Sequence, residues 1–256
     1  MDSLIDTPQS VFITGRCILD NVVVAEETIF SLQKRKMPGN IIKVDFAKAF
    51  NMVDSDFFLE LLHVRGFGDQ WIGWIKCILY TSKTSILVNG AVNGYVKHQR
   101  GLRQGDPLSH LLFVLDTDVL STLFSNALSS GVLNGVLLRK FGKICHLQYT
   151  DDLIILIAWG LEDLRIIKLI LYFFDGISGL SINFHKTRLY SSKLGTLLDR
   201  SLAATLNCST GLLPLTYLGF PISTGDPTVT IGIPLYVKST LDFLHGKPIC
   251  SPYKED

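Results

Sequence analysis

The sequence predicts an α+β domain, on three observations. Helical and strand-like stretches are mixed along the chain without the strict βαβ alternation of a doubly wound sheet. Asn89-Gly90 between two β-rich runs marks an antiparallel hairpin. The chain has 256 residues, 47% hydrophobic and only 18% charged, enough to bury a sizeable core as one large domain or two small ones.

In chain order, 19–36 reads as a helix that runs into Lys34-Arg35-Lys36 and is stopped by Pro38-Gly39. Ile41-Ile42-Lys43-Val44-Asp45-Phe46 is a short β-rich run and predicts a strand. Helices follow over 54–65 and 69–80, separated by Gly66 and Gly68. The Asn89-Gly90 hairpin leads into a Gly/Arg/Gln loop over 100–107, then into apolar residues at helical spacing over 108–128. Strand-like runs 144–149 and 153–159 meet at Thr150-Asp151-Asp152. An apolar helix is expected over 161–175 and a further strand pair over 179–190. Beyond that, helix and strand signals mix, punctuated by Pro214, Pro221, Pro227 and Pro234.

Composition excludes several classes. Twenty-four Lys+Arg against 23 Asp+Glu give a net charge of +1, so any nucleic-acid partner must be held by local patches rather than by a global field. Mean hydropathy is +0.32, yet the most apolar uncharged run, 153–160, is far short of the ~18 residues of a membrane span. The first residues carry early acids and no basic stretch, so no signal peptide is expected and the location is intracellular. Five scattered cysteines without a C-x-x-C pair argue against a disulfide framework or a zinc finger.

Three segments carry chemistry. Tyr149-Thr150-Asp151-Asp152 sets two adjacent carboxylates between apolar strands. Like charges in contact raise one another's pKa, and a divalent cation removes that cost; oxygen-only ligands favour Mg²⁺ or Mn²⁺. The plain alternative is a hairpin turn with two solvated aspartates. Asp45 closes a buried-looking strand and could face Asp151 across a sheet, or serve as a helix N-cap. Arg100-Gly101-Leu102-Arg103-Gln104-Gly105-Asp106-Pro107-Leu108-Ser109 offers two guanidiniums, an amide and flexible glycines to phosphates, or is an ordinary helix start with surface charges.

Taken in order, these segments resemble the reverse transcriptase of non-LTR (LINE-type) retrotransposons, especially the plant kind. Asp45 to Phe50 resembles that family's first catalytic motif, Arg100 to Ser109 its R-G-x-R-Q-G-D-P-L-S motif and Tyr149 to Asp152 its F/Y-A-D-D box. Gly179-Leu180-Ser181-Ile182-Asn183 with Lys186-Thr187 resembles the next motif, and Tyr217-Leu218-Gly219-Phe220-Pro221 the primer-grip segment. Phe12-Ile13-Thr14-Gly15-Arg16 with Asp20-Asn21 resembles a late fingers motif.

The resemblance implies a right-hand polymerase palm, an antiparallel sheet on helices, with partial fingers over 1–192 and a partial, divergent thumb segment over 193–256. It implies RNA-directed DNA synthesis from an RNA template, a DNA primer and dNTPs, with no membrane involved and nuclear residence. Asp45, Asp151 and Asp152 match the metal-binding catalytic aspartates, served by Mg²⁺ or Mn²⁺. Phe50 matches the aromatic that excludes a 2′-hydroxyl. Gln104 and Gly105, with Arg103, match residues at the incoming nucleotide and template, and Lys186 a basic residue near the leaving phosphates. Arg16, Arg100, Tyr217 and Gly219 are the nucleic-acid contacts. Thr150, Asn51 and His110 depart from the family's usual Ala, Asp and Pro. The chain is also expected to start inside the fingers, without an endonuclease domain or a C-terminal zinc knuckle. The alternative function is therefore an inactive retrotransposon remnant with residual nucleic-acid binding.

Overall fold

The computed structural model describes residues 18–138, 141–158, 160–191 and 197–223. At its centre are five strands in the order β6-β7-β1-β8-β9. These are β6 (His146–Tyr149), β7 (Asp152–Ala158), β1 (Gly39–Val44), β8 (Arg188–Ser191) and β9 (Ser209–Gly211). All neighbours are antiparallel except β8 and β9, which are parallel. β7 reads as a nearly unbroken apolar run and β1 is buried along most of its length because both faces of the sheet are covered.

One face packs on α3 (Ser55–Val64), α4 (Asp69–Thr81), α5 (Pro107–Ser129) and α6 (Leu161–Ser178). Ile42, Val44, Ile155 and Ile157 of the sheet bury there with Phe58, Phe113, Phe124 and Phe174 of the helices. The other face packs on α1 (Ile18–Lys34) and the small hairpin β10 (Leu215–Tyr217) and β11 (Phe220–Ile222), through Ile41, Ile154, Leu156, Ile29, Leu215 and Tyr217. Strand alternation produces this division, since Ile41 and Ile42 point to opposite layers.

The expected Asn89-Gly90 hairpin is present as β2 (Lys83–Val88) and β3 (Ala91–Lys97). Asn89 and Gly90 have φ of 52° and 82°, the two positive values a type I′ turn requires. Leu218 and Gly219, at 51° and 84°, make the same turn between β10 and β11.

Several elements differ from the sequence reading. The strand pair over 179–190 is a single strand, β8; upstream of it only Ile182 makes a bridge, to Phe46. Asn183 and Lys186 instead belong to a turn whose carbonyl and side chain bond Lys186 and Thr187. The helical stretch expected after Asp45 is the short helix α2 (Ala49–Met52), and the hairpin of β4 (Val136–Leu138) and β5 (Gly142–Ile144) went unforeseen. α7 (Leu197–Thr205) precedes β9, which joins the main sheet. The expected boundary at 192/193 falls on residues outside the described set, as do Arg16 and everything after 223.

α5 corrects the hydropathy argument. Its 23 residues are long and apolar enough to cross a membrane by length and composition. It is a core helix, with Phe113, Val114, Leu120 and Phe124 fully buried and with Asp116 and Asp118 buried among them.

Candidate active site

Asp45 stands one residue beyond the end of β1. The antiparallel register of β1 and β7 runs from Gly39 opposite Ala158 to Val44 opposite Leu153. One further step brings Asp45 level with Asp152, the first residue of β7. Directly opposed residues share a face, so register alone sends these two carboxylates to the same side. Asp151 occupies the two-residue turn between β6 and β7, closed by the Tyr149–Asp152 pair, and is exposed. The turn has a positive φ of 51° at Thr150, an uncommon conformation for a β-branched residue.

The backbone around Asp45 is fixed from the motif at 179–187. The Asp45 N–H donates to Thr187 Oγ1 at 3.3 Å, and the Asp45 carbonyl accepts from the Asn183 N–H at 2.7 Å. The Ala47 N–H donates to the Ser181 carbonyl at 2.8 Å. On the other side, buried Gln148 donates to the Thr150 carbonyl at 3.3 Å, while Asn21 donates to the Gln148 carbonyl at 2.9 Å. These supports lie far apart in sequence, and neither Gln148 nor Thr187 was singled out as a site residue.

Electrostatics links the acids. Burial raises the pKa of Asp152 most; the Lys43 ammonium offsets part of the rise, and the charges of Asp151 and Asp45 add to it. Among the described residues, the carboxylates of Asp45, Asp151 and Asp152 have no hydrogen bond or ion pair. Several other acids of the domain are engaged: Asp118 pairs with Arg65 at 2.6 Å, Asp54 and Asp106 cap α3 and α5, and Asp175 accepts from Ser181, whereas buried Asp116 has a partner for neither carboxylate oxygen. Asp152, buried and next to the charges of Asp151 and Asp45, is a carboxylate whose ionised form a hard divalent cation would relieve. Among the described residues no group of three or more His, Cys, Asp or Glu is placed to hold a metal ion by itself. Mg²⁺ does not need one, since it usually keeps waters and takes one or two carboxylates together with substrate phosphates.

Phe50 lies on α2 and is 9% exposed. Its ring stacks on Phe113 at 4.4 Å and is tilted against His110 at 5.1 Å. The loop leading to α5 is bound onto this short helix: Leu102 N–H donates to the Phe50 carbonyl and Gly101 N–H to the Val53 carbonyl. His110, where the family has Pro, donates from Nδ1 to the Asp106 carbonyl at 2.9 Å and so replaces a conformational restraint with a hydrogen bond. Arg100, Arg103, Gln104 and Gly105 are exposed along the loop. Arg103 lines a cleft with Lys83, Asp106 and Ser109.

Asp45 and Lys186 share a second cleft, with Lys43, Arg188 and Thr216. Gly219 is exposed at the tip of the β10–β11 turn. Tyr217 is a correction: it is 0% exposed, its ring belongs to the core between α1 and the sheet, and its hydroxyl faces Asn21. Burial raises the pKa of that hydroxyl, so Tyr217 anchors the hairpin and does not reach a nucleic acid itself.

Residues 1–222 match the family model described as reverse transcriptase (RNA-dependent DNA polymerase). The chain is 27% identical over 184 residues to an uncharacterized 149 kDa protein of transposon TX1 from Xenopus laevis, covering 72% of this chain and 14% of that protein. It is 32% identical over 155 residues to a Pol polyprotein from the type-1 retrotransposable element R2 of Nasonia vitripennis, covering 60% of this chain and 14% of that protein. An uncharacterized mitochondrial protein of Arabidopsis thaliana is 48% identical over 67 residues, 26% of this chain and 55% of the relative. The chain thus spans about one seventh of the two transposon proteins. Among solved structures, apo telomerase from Candida tropicalis superposes with a TM-score of 0.56 at 14% identity, over 82% of this chain and 40% of that one. Telomerase from Candida albicans gives 0.56, over 82% and 33%. These likenesses give the fold, a polymerase palm, and reverse transcriptases as a family work with divalent metal ions. The chain belongs to the reverse transcriptase family, as a domain of the non-LTR kind.

Proposed function

We propose that this domain extends a DNA primer along an RNA template, adding dNTPs with release of pyrophosphate, and that it works where chromosomal DNA is, in the nucleus. The observation that carries this reading is the convergence of Asp45 with the Asp151-Asp152 turn, where the charges of Asp151 and Asp45 add to burial in raising the pKa of Asp152. Asp45, Asp151 and Asp152 would hold Mg²⁺ or Mn²⁺. Bound there, the ions supply activation of the primer 3′-hydroxyl and neutralisation of the charge that builds on the leaving pyrophosphate.

The chain's own contribution is to position these groups before substrate arrives. Thr187 and Asn183 hold the Asp45 backbone, and Gln148 holds the Thr150 turn. Phe50, fixed by Phe113 and by the Leu102 hydrogen bond, bounds the sugar position and favours dNTP over NTP. Arg100, Arg103, Gln104 and Gly105 face template and nucleotide from the exposed loop. Lys186 serves the leaving phosphates, and Gly219 lets the hairpin approach the primer closely.

The test is extension of oligo(dT) on poly(rA) with Mg²⁺, wild type beside Asp151→Asn. The expected outcome is extension by the wild type and a loss of at least about a hundredfold in the variant, the scale of removing a transition-state electrostatic group. Incorporation that ignores the substitution refutes the assignment. A wild type that binds primer–template but extends nothing is the inactive remnant.

A further inference from the structure

Over residues 70–105 the sequence has no acid and five cations, Lys76, Lys83, Lys97, Arg100 and Arg103, although the whole chain has a net charge of only +1. Lys83 and Lys97 belong to the β2–β3 hairpin. Every residue of both strands is exposed, among them Ile86, Leu87, Val88, Val92, Tyr95 and Val96. Leu87 and Tyr95 are 66% and 72% exposed, so most of each side chain is in water. Among the described residues no third strand joins this sheet. A two-stranded hairpin alone is marginally stable in water, and contiguous exposed apolar surface marks an interaction site.

The pairing tells what kind of partner fits. Lys83 stands directly opposite Lys97, and like charges so placed destabilise the pair. Among the described residues neither lysine has an ion pair. Alternation puts Ser85 and Leu87 on the same face as Lys83, opposite Tyr95 and Val92. That face is cationic at the foot of the hairpin and apolar towards its tip. The register shifts between Ser85 and Leu87, and the extra residue falls on β3 beside Gly94, whose φ is 78°. β2 therefore keeps the unbroken edge of N–H and C=O groups. Lysine commonly protects a free edge, but here both lysines sit at the foot and leave Ile86, Leu87 and Val88 open.

We propose that the β2 edge docks an extended protein segment with an acidic end and an apolar, β-branched body, which adds as a third strand. An acid alongside Lys83 relieves its repulsion with Lys97, apolar side chains cover Ile86 and Leu87, and main-chain hydrogen bonds satisfy the edge. A nucleic acid would take the lysines and leave Leu87, Val92 and the backbone edge in water.

The experiment uses the full 256-residue chain as wild type, Lys83→Glu/Lys97→Glu and Leu87→Ser/Val92→Ser. The probes are labelled Glu-Glu-Thr-Val-Ile-Val, the same sequence reversed, and both with Lys in place of Glu, followed by fluorescence anisotropy at low salt. The wild type is expected to bind one acidic peptide about tenfold more tightly than its lysine counterpart, and Lys83→Glu/Lys97→Glu to invert that preference. Leu87→Ser/Val92→Ser should weaken the acidic peptide about tenfold. Hydrogen exchange with the peptide bound should slow the outward amides of β2 and leave those of β3 unchanged. Both variants alter only exposed residues, and a gain of binding to the lysine peptide cannot come from unfolding.

A wild type that binds neither acidic peptide overturns the proposal, as does a preference that charge reversal leaves in place or protection confined to β3. A labelled oligo(dT)–poly(rA) duplex is the nucleic-acid arm. Loss of duplex binding in Lys83→Glu/Lys97→Glu with peptide binding intact makes the hairpin a nucleic-acid arm and overturns the docking site. Self-association of the wild type that Leu87→Ser/Val92→Ser abolishes, without peptide binding, makes the occupant a second copy and overturns it too.

Discussion

Gly101 and Gly105 lie in one loop, and both are left-handed, with φ of 89° and 83°. A side chain at either position meets the same backbone penalty, about 1–2 kcal/mol for an L-residue in that region. Their surroundings differ. A Cβ on Gly101 would fall 2.6 Å from the Asn51 oxygen and 2.7 Å from its carbonyl carbon and Cα, whereas a Cβ on Gly105 would meet nothing within 4 Å. The backbone that Gly101 would strike belongs to the helix bearing Phe50. Relieving the overlap means parting loop and helix, which breaks the bonds from Gly101 to Val53 and from Leu102 to Phe50. At about 0.5–1.5 kcal/mol each, these add 1–3 kcal/mol. Gly101→Ala should therefore cost about 2–5 kcal/mol and Gly105→Ala about 1–2 kcal/mol. Urea unfolding followed by circular dichroism gives both values from one series. Equal losses, or a larger loss at Gly105, would refute the steric argument. Folded Gly105→Ala should still lose primer extension, by at least about tenfold, if the bare backbone at 105 is what approaches the nucleotide.

Other outcomes follow from single side chains. Glu26 is 3% exposed on α1, one of its carboxylate oxygens has no partner, and burial pushes its pKa up to about 7 from 4.5. The folded state then binds more protons than the unfolded state between these values, so this group lowers stability progressively from about pH 4.5 to pH 7 and fully above it. Glu26→Gln should match the wild type at pH 4 and exceed it by at most about 3 kcal/mol at pH 8 in paired urea melts. Phe50→Ala should lower stability by about 3–5 kcal/mol, because the ring is packed on Phe113, and should raise rNTP incorporation relative to dNTP in primer extension. Unchanged sugar selectivity in folded Phe50→Ala would leave Phe50 a core residue only. Thr150→Asn should stabilise the β6–β7 turn by about 0.5–1 kcal/mol, since Asn tolerates positive φ better than a β-branched residue; the thermal midpoint reads it.

The parts of this molecule that were legible in the sequence are those written in local patterns. α3 and α4 came from helical periodicity closed by Gly66 and Gly68, and the β2–β3 hairpin from Asn-Gly, whose two residues have the positive φ that the pair is known for. Asp45 was expected to be able to face Asp151 by strand pairing; the β1–β7 register, a contact across more than a hundred residues, instead brings it level with Asp152 and leaves Asp151 in the turn. The strand pair over 179–190 failed for a related reason. Ile182 has strand composition and is buried, but its neighbours bond to the backbone at Asp45 and Ala47, so the segment supports the acid and does not form a ladder of its own. Tyr217 was placed by motif as a nucleic-acid contact, and no local signal distinguishes an aromatic that faces a ligand from one that faces α1.

The acids of the candidate site stand apart from several others of the domain in how they are satisfied, although buried Asp116 on α5 also lacks a partner for either carboxylate oxygen. Asp54 and Asp106 spend their oxygens on helix caps, Asp118 on Arg65, and Asp163 on Asn134. Each is explained by the fold alone, and replacing any of them would strip a donor of its partner. At Asp45 the fold engages the backbone at both N–H and carbonyl and leaves the carboxylate free. Asp152 has its pKa raised by burial with only Lys43 in opposition. A sequence selected for stability alone would not hold repelling charges together at the end of its central strands, because each such group costs free energy that a neutral residue would not. The arrangement becomes favourable when divalent cations enter, beside a cleft lined by Lys43, Lys186 and Arg188. The same corner is thus costly in the empty protein and balanced in the loaded one, so divalent cations should raise the stability of the wild type and leave Asp45→Asn/Asp151→Asn unchanged in a thermal melt.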